Sequence, residues 1–327
     1  MEKIQSAIAK ARAERDANAL AAGLAPSGAA AETGADLRAA PVSAPAPVSA
    51  PAVLSAPAVL SAATSPAPPD TAPPDVPQAD TALSDAARAE IAQSWRALKP
   101  LHLDAARLRD NRIVAFAGGH DAVSFDVMRT KVIQQMRSNG WKRLAITSPS
   151  AGCGKSTIAL NLAFSLTRQP ELRTILVELD LRRPSLAATL GISGGGSFSQ
   201  ALQGKSPLSD VALRYGEGLA VACNASPVRN PAELLHGSSV PTALAAIEAQ
   251  YAPDLMLFDM SPMLVSDDAM AFMGQVDAVL LIAAAETTTV KEVDACEREL
   301  ASQTNVMGVV LNKCHYMGPE YGYSYYG

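Results

Sequence analysis

The chain has 327 residues and a formal net charge of −5, so it carries no basic footprint for nucleic acid, and no Lys/Arg cluster marks a membrane-surface patch. Its four cysteines, Cys153, Cys223, Cys296 and Cys314, are scattered without a C-x-x-C pair, which argues against a metal or redox site and fits a reducing compartment. The longest apolar run, Ala278 to Ala285, is far short of the ~20 residues that span a bilayer, and the N-terminus has no signal-peptide core, so the expectation is a soluble, cytoplasmic protein.

Residues 1–20 place Ile4, Ile8 and Ala11 on one face and Lys3, Lys10, Arg12 and Glu14 elsewhere, the pattern of a short amphipathic helix. Such a helix is marginal alone, so it either frays or folds on a partner. From 21 to 83 the chain is Ala, Pro and Ser, with approximate hexads PVSAPA, PVSAPA, VLSAPA and VLSAAT over 41–64. Proline at that density blocks helix and sheet and favours polyproline II, which predicts a disordered, semi-extended linker. One globular body, 84–315, is expected to follow. It opens with Ser84 as the N-cap of a helix carrying Ile91, Trp95 and Leu98, continues through Asn111 to Phe116, and then forms a helix from about Ser124 to Ser138.

The most informative stretch is 142–157, KRLAITSPSAGCGKST. A short apolar run, Leu144 to Ile146, meets a loop of small residues, and Ile158, Leu162 and Leu166 then recur at helical spacing. That order is strand, phosphate loop, helix. Small side chains in Ala151, Gly152, Cys153 and Gly154 let backbone N–H groups turn inward together, and the helix opening at Lys155 adds the positive end of its dipole. Lys155 supplies an ammonium for the β and γ phosphates, the Ser156 hydroxyl is placed for magnesium, and Thr157 completes the turn. Pro149 stands where G-x-x-x-x-G-K-[ST] has its first glycine. The alternative, a glycine-rich turn that binds nothing, conflicts with this strand-to-helix setting.

Beyond the loop, apolar runs alternate with helical stretches: Thr174 to Leu179, Leu219 to Cys223, Leu255 to Phe258, Ala278 to Ala284 and Val306 to Leu311. They predict an α/β fold of the P-loop NTPase kind, a mostly parallel sheet with helices on both faces, its site at the carboxyl ends of the strands. Alternation puts Glu178 and Asp180 on one side of their strand, both able to point at the phosphate loop, one towards magnesium through water and one as proton acceptor. Four apolar residues ending in Asp259 make a Walker B pattern and assign that carboxylate to the magnesium shell. Arg182 and Arg183 either clamp phosphate or face solvent.

The last twelve residues, 316–327, YMGPEYGYSYYG, hold five of the seven tyrosines: Tyr316, Tyr321, Tyr323, Tyr325 and Tyr326. Gly and Pro between them disfavour a helix, which leaves a strip able to reach an active site. The expectation is a cluster of phosphoryl acceptors, each phosphate adding roughly −1.5 to −2 charge. The plainer reading is an aromatic adhesive tip.

In order, TSPSAGCGKST, ELDLRRP, NPAELL (230–235), LMLFDMSP with Ser266-Asp267-Asp268 after it, GVVLNK (308–313) and the tyrosine-rich end resemble the bacterial tyrosine kinases of capsule and exopolysaccharide assembly. The resemblance runs from about residue 120 to the C-terminus. It implies ATP and Mg²⁺ as cofactors, Lys155 and Ser156 binding them, Asp180 and Asp259 completing the metal site, Glu178 in the first acidic position, and Asn312 reading the adenine edge. It also implies that MEKIQSAIAKAR docks on a membrane polysaccharide co-polymerase, holding the protein at the inner membrane through a partner. Three positions depart from the family pattern. Glu178 stands where Asp is usual, Cys153 where Glu is common, and Val123, Asp126 and Arg129 retain only the last residue of the Glu-x-x-Arg-x-x-Arg motif through which homo-oligomers assemble. Two rival readings share the fold: a positioning ATPase of the ParA/MinD kind, whose signature lysine is replaced by Ser150, and a non-catalytic nucleotide-binding regulator.

Overall fold

A computed structural model describes residues 84–194 and 196–314, together with the backbone of 58–61. Residues 1–20, most of 21–83 and the tyrosines of 316–327 lie outside the described residues, and with them the terminal helix, most of the linker and the acceptor cluster.

The described strands are β1 (Ala58–Ser61), β2 (Lys99–Pro100), β3 (Arg143–Thr147), β4 (Thr174–Leu179), β5 (Ala212–Tyr215), β6 (Leu219–Ala222), β7 (Leu255–Met260), β8 (Ala278–Ala284) and β9 (Asn305–Asn312). They form one sheet in the order β1-β9-β8-β3-β7-β4-β6-β5-β2. Its centre is parallel, β8, β3, β7, β4 and β6 pairing side by side. Two antiparallel pairs depart from this, β5 with β6 and β1 with β9. The second corrects the expectation of an unpaired linker throughout 21–83: Ala58 to Ser61 pair with Leu311 to Gly308. No proline falls between Pro57 and Pro66, so Ala58 to Ser61 all keep their N–H groups, enough to extend an edge.

The helices divide by face. On one side α1 (Asp85–Ala97), α6 (Phe198–Leu202), α9 (Ser239–Tyr251), α10 (Asp268–Phe272) and α11 (Val290–Ala301) share a core with Ile175, Val177 and Phe258. On the other, α2 (Ala105–Asp110), α3 (Val123–Asn139), α4 (Lys155–Leu166) and α5 (Leu186–Leu190) pack on Leu144, Leu176 and Leu257. Two short helices, α7 (Leu208–Val211) and α8 (Pro231–Leu235), and two 3₁₀ turns, beside α3 and α10, complete the described set. Strands apolar on both faces are what a sheet covered twice requires.

Ser84 caps α1 by accepting from the Ala87 N–H, as expected from its side chain. Trp95 is buried and donates its indole N–H to the Tyr251 carbonyl at 2.7 Å, fixing α1 to the end of α9. The run Asn111 to Phe116 is irregular. Its backbone is instead satisfied by Asn161 of α4, whose side chain accepts from the Val114 and Ala115 N–H groups and donates to the carbonyls of Arg112 and Thr157. A buried amide thus replaces a strand partner for this segment.

Candidate active site

β3 ends at Thr147, and the loop 148–154 turns back over the sheet before α4 begins at Lys155. Gly152 and Gly154 have φ values of 83° and 94°, which a side chain rarely adopts. At Gly154 even a methyl group would stand 2.2 Å from the Asn312 Nδ2 atom. The loop is held from three directions. The Ser148 hydroxyl donates to the Ser150 carbonyl, the Met263 and Leu264 N–H groups donate to the carbonyls of Ser148 and Pro149, and Asn312 Nδ2 donates to the Cys153 carbonyl at 2.8 Å. Cys153 Sγ lies 3.6 Å from both the Ser150 and Thr288 hydroxyls. Burial pushes this thiol up, but those hydroxyls and the backbone contact at Ser150 outweigh it and hold the thiol below its ordinary value. No side chain caps the first turn of α4, so its N–H groups face the loop cavity uncommitted to a capping residue.

Lys155 and three carboxylates converge beneath the loop. Lys155 Nζ donates to Asp180 Oδ2 at 2.7 Å, and both side chains are largely enclosed. Burial alone would lower the Lys155 pKa. The charges of Asp259 and Asp180, the hydrogen bond to Asp180 and the charge of Glu178 more than reverse this, and the ammonium is held above its usual range. Asp259 is wholly buried, and neither carboxylate oxygen has a hydrogen-bond partner. Burial raises its pKa, opposed by Lys155 and by a nearby Ser156 hydroxyl that falls short of hydrogen-bond geometry.

Two orphaned, fully buried acceptors beside an ammonium are costly unless something satisfies them. A divalent cation carried by a phosphate fits on every count. It would satisfy the Asp259 oxygens, accept the Ser156 hydroxyl as a ligand, and offset a cluster of three carboxylates around one ammonium. The uncapped helix start and the glycine loop supply donors for the phosphate itself.

Glu178 is corrected by the structure. It faces the α4 side of the sheet, paired in register with Asp259 on β7, as strand alternation predicts. Its carboxylate, however, reaches past the site: Oε1 accepts from the Ser185 and Leu186 N–H groups at 2.5 and 2.7 Å, and Oε2 accepts from the Asn224 N–H at 2.8 Å. Burial raises its pKa against the pull of those three donors. The methylene that distinguishes Glu from Asp carries the group onto neighbouring backbone, where it ties the loop after β4 to the end of β6. It is a positioning residue for Asp180, not a free base.

Asn312 donates one amide N–H to the Cys153 carbonyl, which makes it a brace for the phosphate loop and leaves its Oδ1 and second N–H for an adenine edge. Arg182 is exposed, as the solvent-facing reading has it, but it is not free. It forms a two-pronged pair with Asp268, Nε to Oδ2 at 2.5 Å and Nη2 to Oδ1 at 2.9 Å, and Ser266 also donates to that carboxylate. Arg183 is exposed and contributes only its backbone N–H, donated to Asp180 Oδ1 at 3.1 Å.

On α3, Asp126 accepts from Ser165 and pairs with Arg129 and Arg168, while Arg129 also donates to the Ser165 carbonyl. These charges are spent inside one chain. Sequence reasoning missed Asn224, Thr288 and the Arg182–Asp268 pair. Only the last had a usable signal, opposite charges on the segments that follow two adjacent strands.

Residues 141–326 match the family model ParA: NUBPL iron-transfer P-loop NTPase. The tyrosine-protein kinase YwqD of Bacillus subtilis is 29% identical over 202 residues, 61% of this chain and 84% of YwqD. The match to AmsA of Erwinia amylovora is also 29% identical, over 64% of this chain but only 29% of AmsA, so the chain spans under a third of that relative. Among solved structures, the kinase domain of Escherichia coli tyrosine kinase Etk superposes with a TM-score of 0.55 at 27% identity, covering 63% of this chain and 82% of that domain. Among the described residues no helix is long and apolar enough to cross a membrane.

Proposed function

The chain belongs to the ParA-type P-loop NTPases and, within that fold, to the bacterial tyrosine kinases, and from that premise we propose that it is an ATP- and Mg²⁺-dependent autokinase that transfers the γ-phosphoryl group to its own C-terminal tyrosines, Tyr316, Tyr321, Tyr323, Tyr325 and Tyr326. Its setting is capsule or exopolysaccharide assembly, with residues 1–20 docking on a membrane polysaccharide co-polymerase. The observation that carries the reading is the buried, unpartnered carboxylate of Asp259 beside Lys155 under a glycine loop. Kinase chemistry of this kind is positioning and charge stabilisation, which such a cluster supplies.

Ser156, Asp259 and, through water, Asp180 would hold magnesium. When bound, the ion offsets charge on the transferring phosphoryl oxygens. The chain's own groups do the rest. Lys155 exchanges its ion pair with Asp180 for the incoming phosphates, and the N–H groups of Gly152, Cys153 and Gly154 orient them. Asp180, released from Lys155 and steadied by the Arg183 N–H, is then the carboxylate free to accept the phenolic proton. Glu178 keeps that loop in place.

A second reading has one observation in its favour. With Glu178 withdrawn into the backbone, a single candidate base remains, and a nucleotide-binding regulator without phosphotransfer would need none. Both readings predict ATP binding. They part when purified protein is given ATP and Mg²⁺ and its phosphotyrosine is mapped: the kinase places it on 316–327 and loses it in Lys155→Met. Phosphotyrosine unchanged in Lys155→Met removes this site from the reaction, and none in the parent protein leaves the regulator.

A further inference from the structure

We propose that Ser261, just past β7, is a positioning residue whose hydroxyl fixes a water of the magnesium shell together with Asp180; the proposal deepens the ATP and magnesium reading of this site and rests on it. Ser261 is 1% exposed, and its Oγ has no hydrogen-bond partner. Among the described residues the other buried side-chain atoms so left are both Asp259 oxygens, Thr174 Oγ1 and the Nε atoms of Arg129 and Arg214. Both arginines spend other nitrogens in hydrogen bonds, and Thr174 opens β4 at the end of the sheet away from the phosphate loop. Asp259 and Ser261 instead stand two residues apart at the carboxyl ends of the strands. Two acceptors left short in one place point to one ligand.

Backbone contacts and strand register fix where the hydroxyl stands. The Thr147 hydroxyl donates to the Ser261 carbonyl at 2.7 Å, and the Met263 N–H donates to the Ser148 carbonyl at 2.8 Å, so the residue is held against the start of the phosphate loop. β4 pairs Glu178 with Asp259 and Leu179 with Met260, a register that sets Ser261 beside Asp180. Met260 lies in the core on the α1 and α9 face. The alternation of β7, carried one residue on, turns the Ser261 side chain to the α4 face, the face of Asp259 and Lys155. The chemistry agrees. Magnesium keeps several of its waters, and a metal-bound water has two hydrogens to donate. Asp180, released from Lys155, accepts one, and the unpartnered Ser261 Oγ accepts the other. A hydroxyl does this without adding a charge to a site that already gathers three carboxylates around one ammonium.

The test uses the full chain with Mn²⁺ in place of Mg²⁺ and a non-hydrolysable ATP analogue, bound metal being read by electron paramagnetic resonance. In Ser261→Ala the metal affinity of the nucleotide complex should weaken by about five- to tenfold, the loss of one hydrogen bond. Binding of a fluorescent ATP analogue in EDTA should stay within about twofold of the parent, a split that a merely structural role would not produce. The empty variant should melt at or above the parent, because an unmet buried hydroxyl has been removed. Unchanged metal affinity overturns the proposal, and so does an equal loss with and without metal. A lower melting point would show the hydroxyl already partnered in the empty fold, and a loss beyond about a hundredfold would put it on the ion itself; either result overturns the assignment. A parent protein that takes up no metal with nucleotide overturns both this proposal and the site reading beneath it. One that binds both yet forms no phosphotyrosine with ATP sinks only the kinase reading, and the Ser261→Ala titration still decides the hydroxyl's role.

Discussion

Asp259 is enclosed, ionisable and unpaired, a combination that costs the nucleotide-free fold stability and is retained because a ligand completes it. Asp259→Asn should therefore raise the melting temperature of the empty protein by about 2–4 °C. It should also abolish the further rise that saturating ATP with magnesium gives the parent, about 2.7 kcal/mol at a hundredfold excess over Kd. A variant that melts lower when empty, or still gains from the ligand, would remove Asp259 from the metal shell. Glu178 is its neighbour in register and its opposite in role. Three backbone donors already satisfy it, so removing its carboxylate would leave three N–H groups wanting at roughly 1–3 kcal/mol each.

At the scale of an element, α11 shows how short-range chemistry fixes a helix and its pH response. Thr289 accepts from the Glu292 N–H, and Glu292 accepts from the Thr289 N–H at 2.7 Å, a reciprocal cap. Those donations hold the Glu292 carboxyl below its usual range. A depressed carboxylate stabilises the fold above its unfolded-state pKa, and the contribution is lost as pH falls through the lower, folded-state value. Glu292 is half-buried with its cap bonds at the surface, so solvent screening keeps the effect small. Glu292→Ala is expected to cost about 0.5–1 kcal/mol at neutral pH. By pH 3 the difference between parent and variant should have shrunk, as read by paired urea melts. A gap that widens in acid would contradict the cap.

On the scale of the whole molecule, the two cores draw on residues from Ile91 to Val310, one on each face of the sheet. Deleting residues 1–57 should leave the melting temperature within about 2 °C and nucleotide affinity unchanged, because burial of apolar area carries the stability. The same deletion should abolish recruitment to membranes containing the co-polymerase, checked by flotation of parent and truncated protein. A large thermal loss would mean that the leading segment packs on the body. Retained flotation would assign docking to another surface.

Local chemistry was enough to read the phosphate cradle. Small residues, a lysine and a hydroxyl must follow one another for backbone donors to converge, and no distant contact is needed to specify that. Runs apolar on both faces likewise announced β4, β6, β7, β8 and β9 and the layer of helices on either side. Tertiary structure alone decided which acid is left facing Lys155 and which is taken up by backbone donors. Strand alternation put Glu178 and Asp180 on one face, but which donors a carboxylate meets depends on loops far away in sequence, here at Ser185 and Asn224. It also tied Asn312 to the phosphate loop, gave Arg182 a partner in Asp268, and drew Ala58 to Ser61 out of a proline-rich run onto the open edge of β9. A periodic pattern sets the direction of a side chain, and long-range packing sets what stands there to receive it.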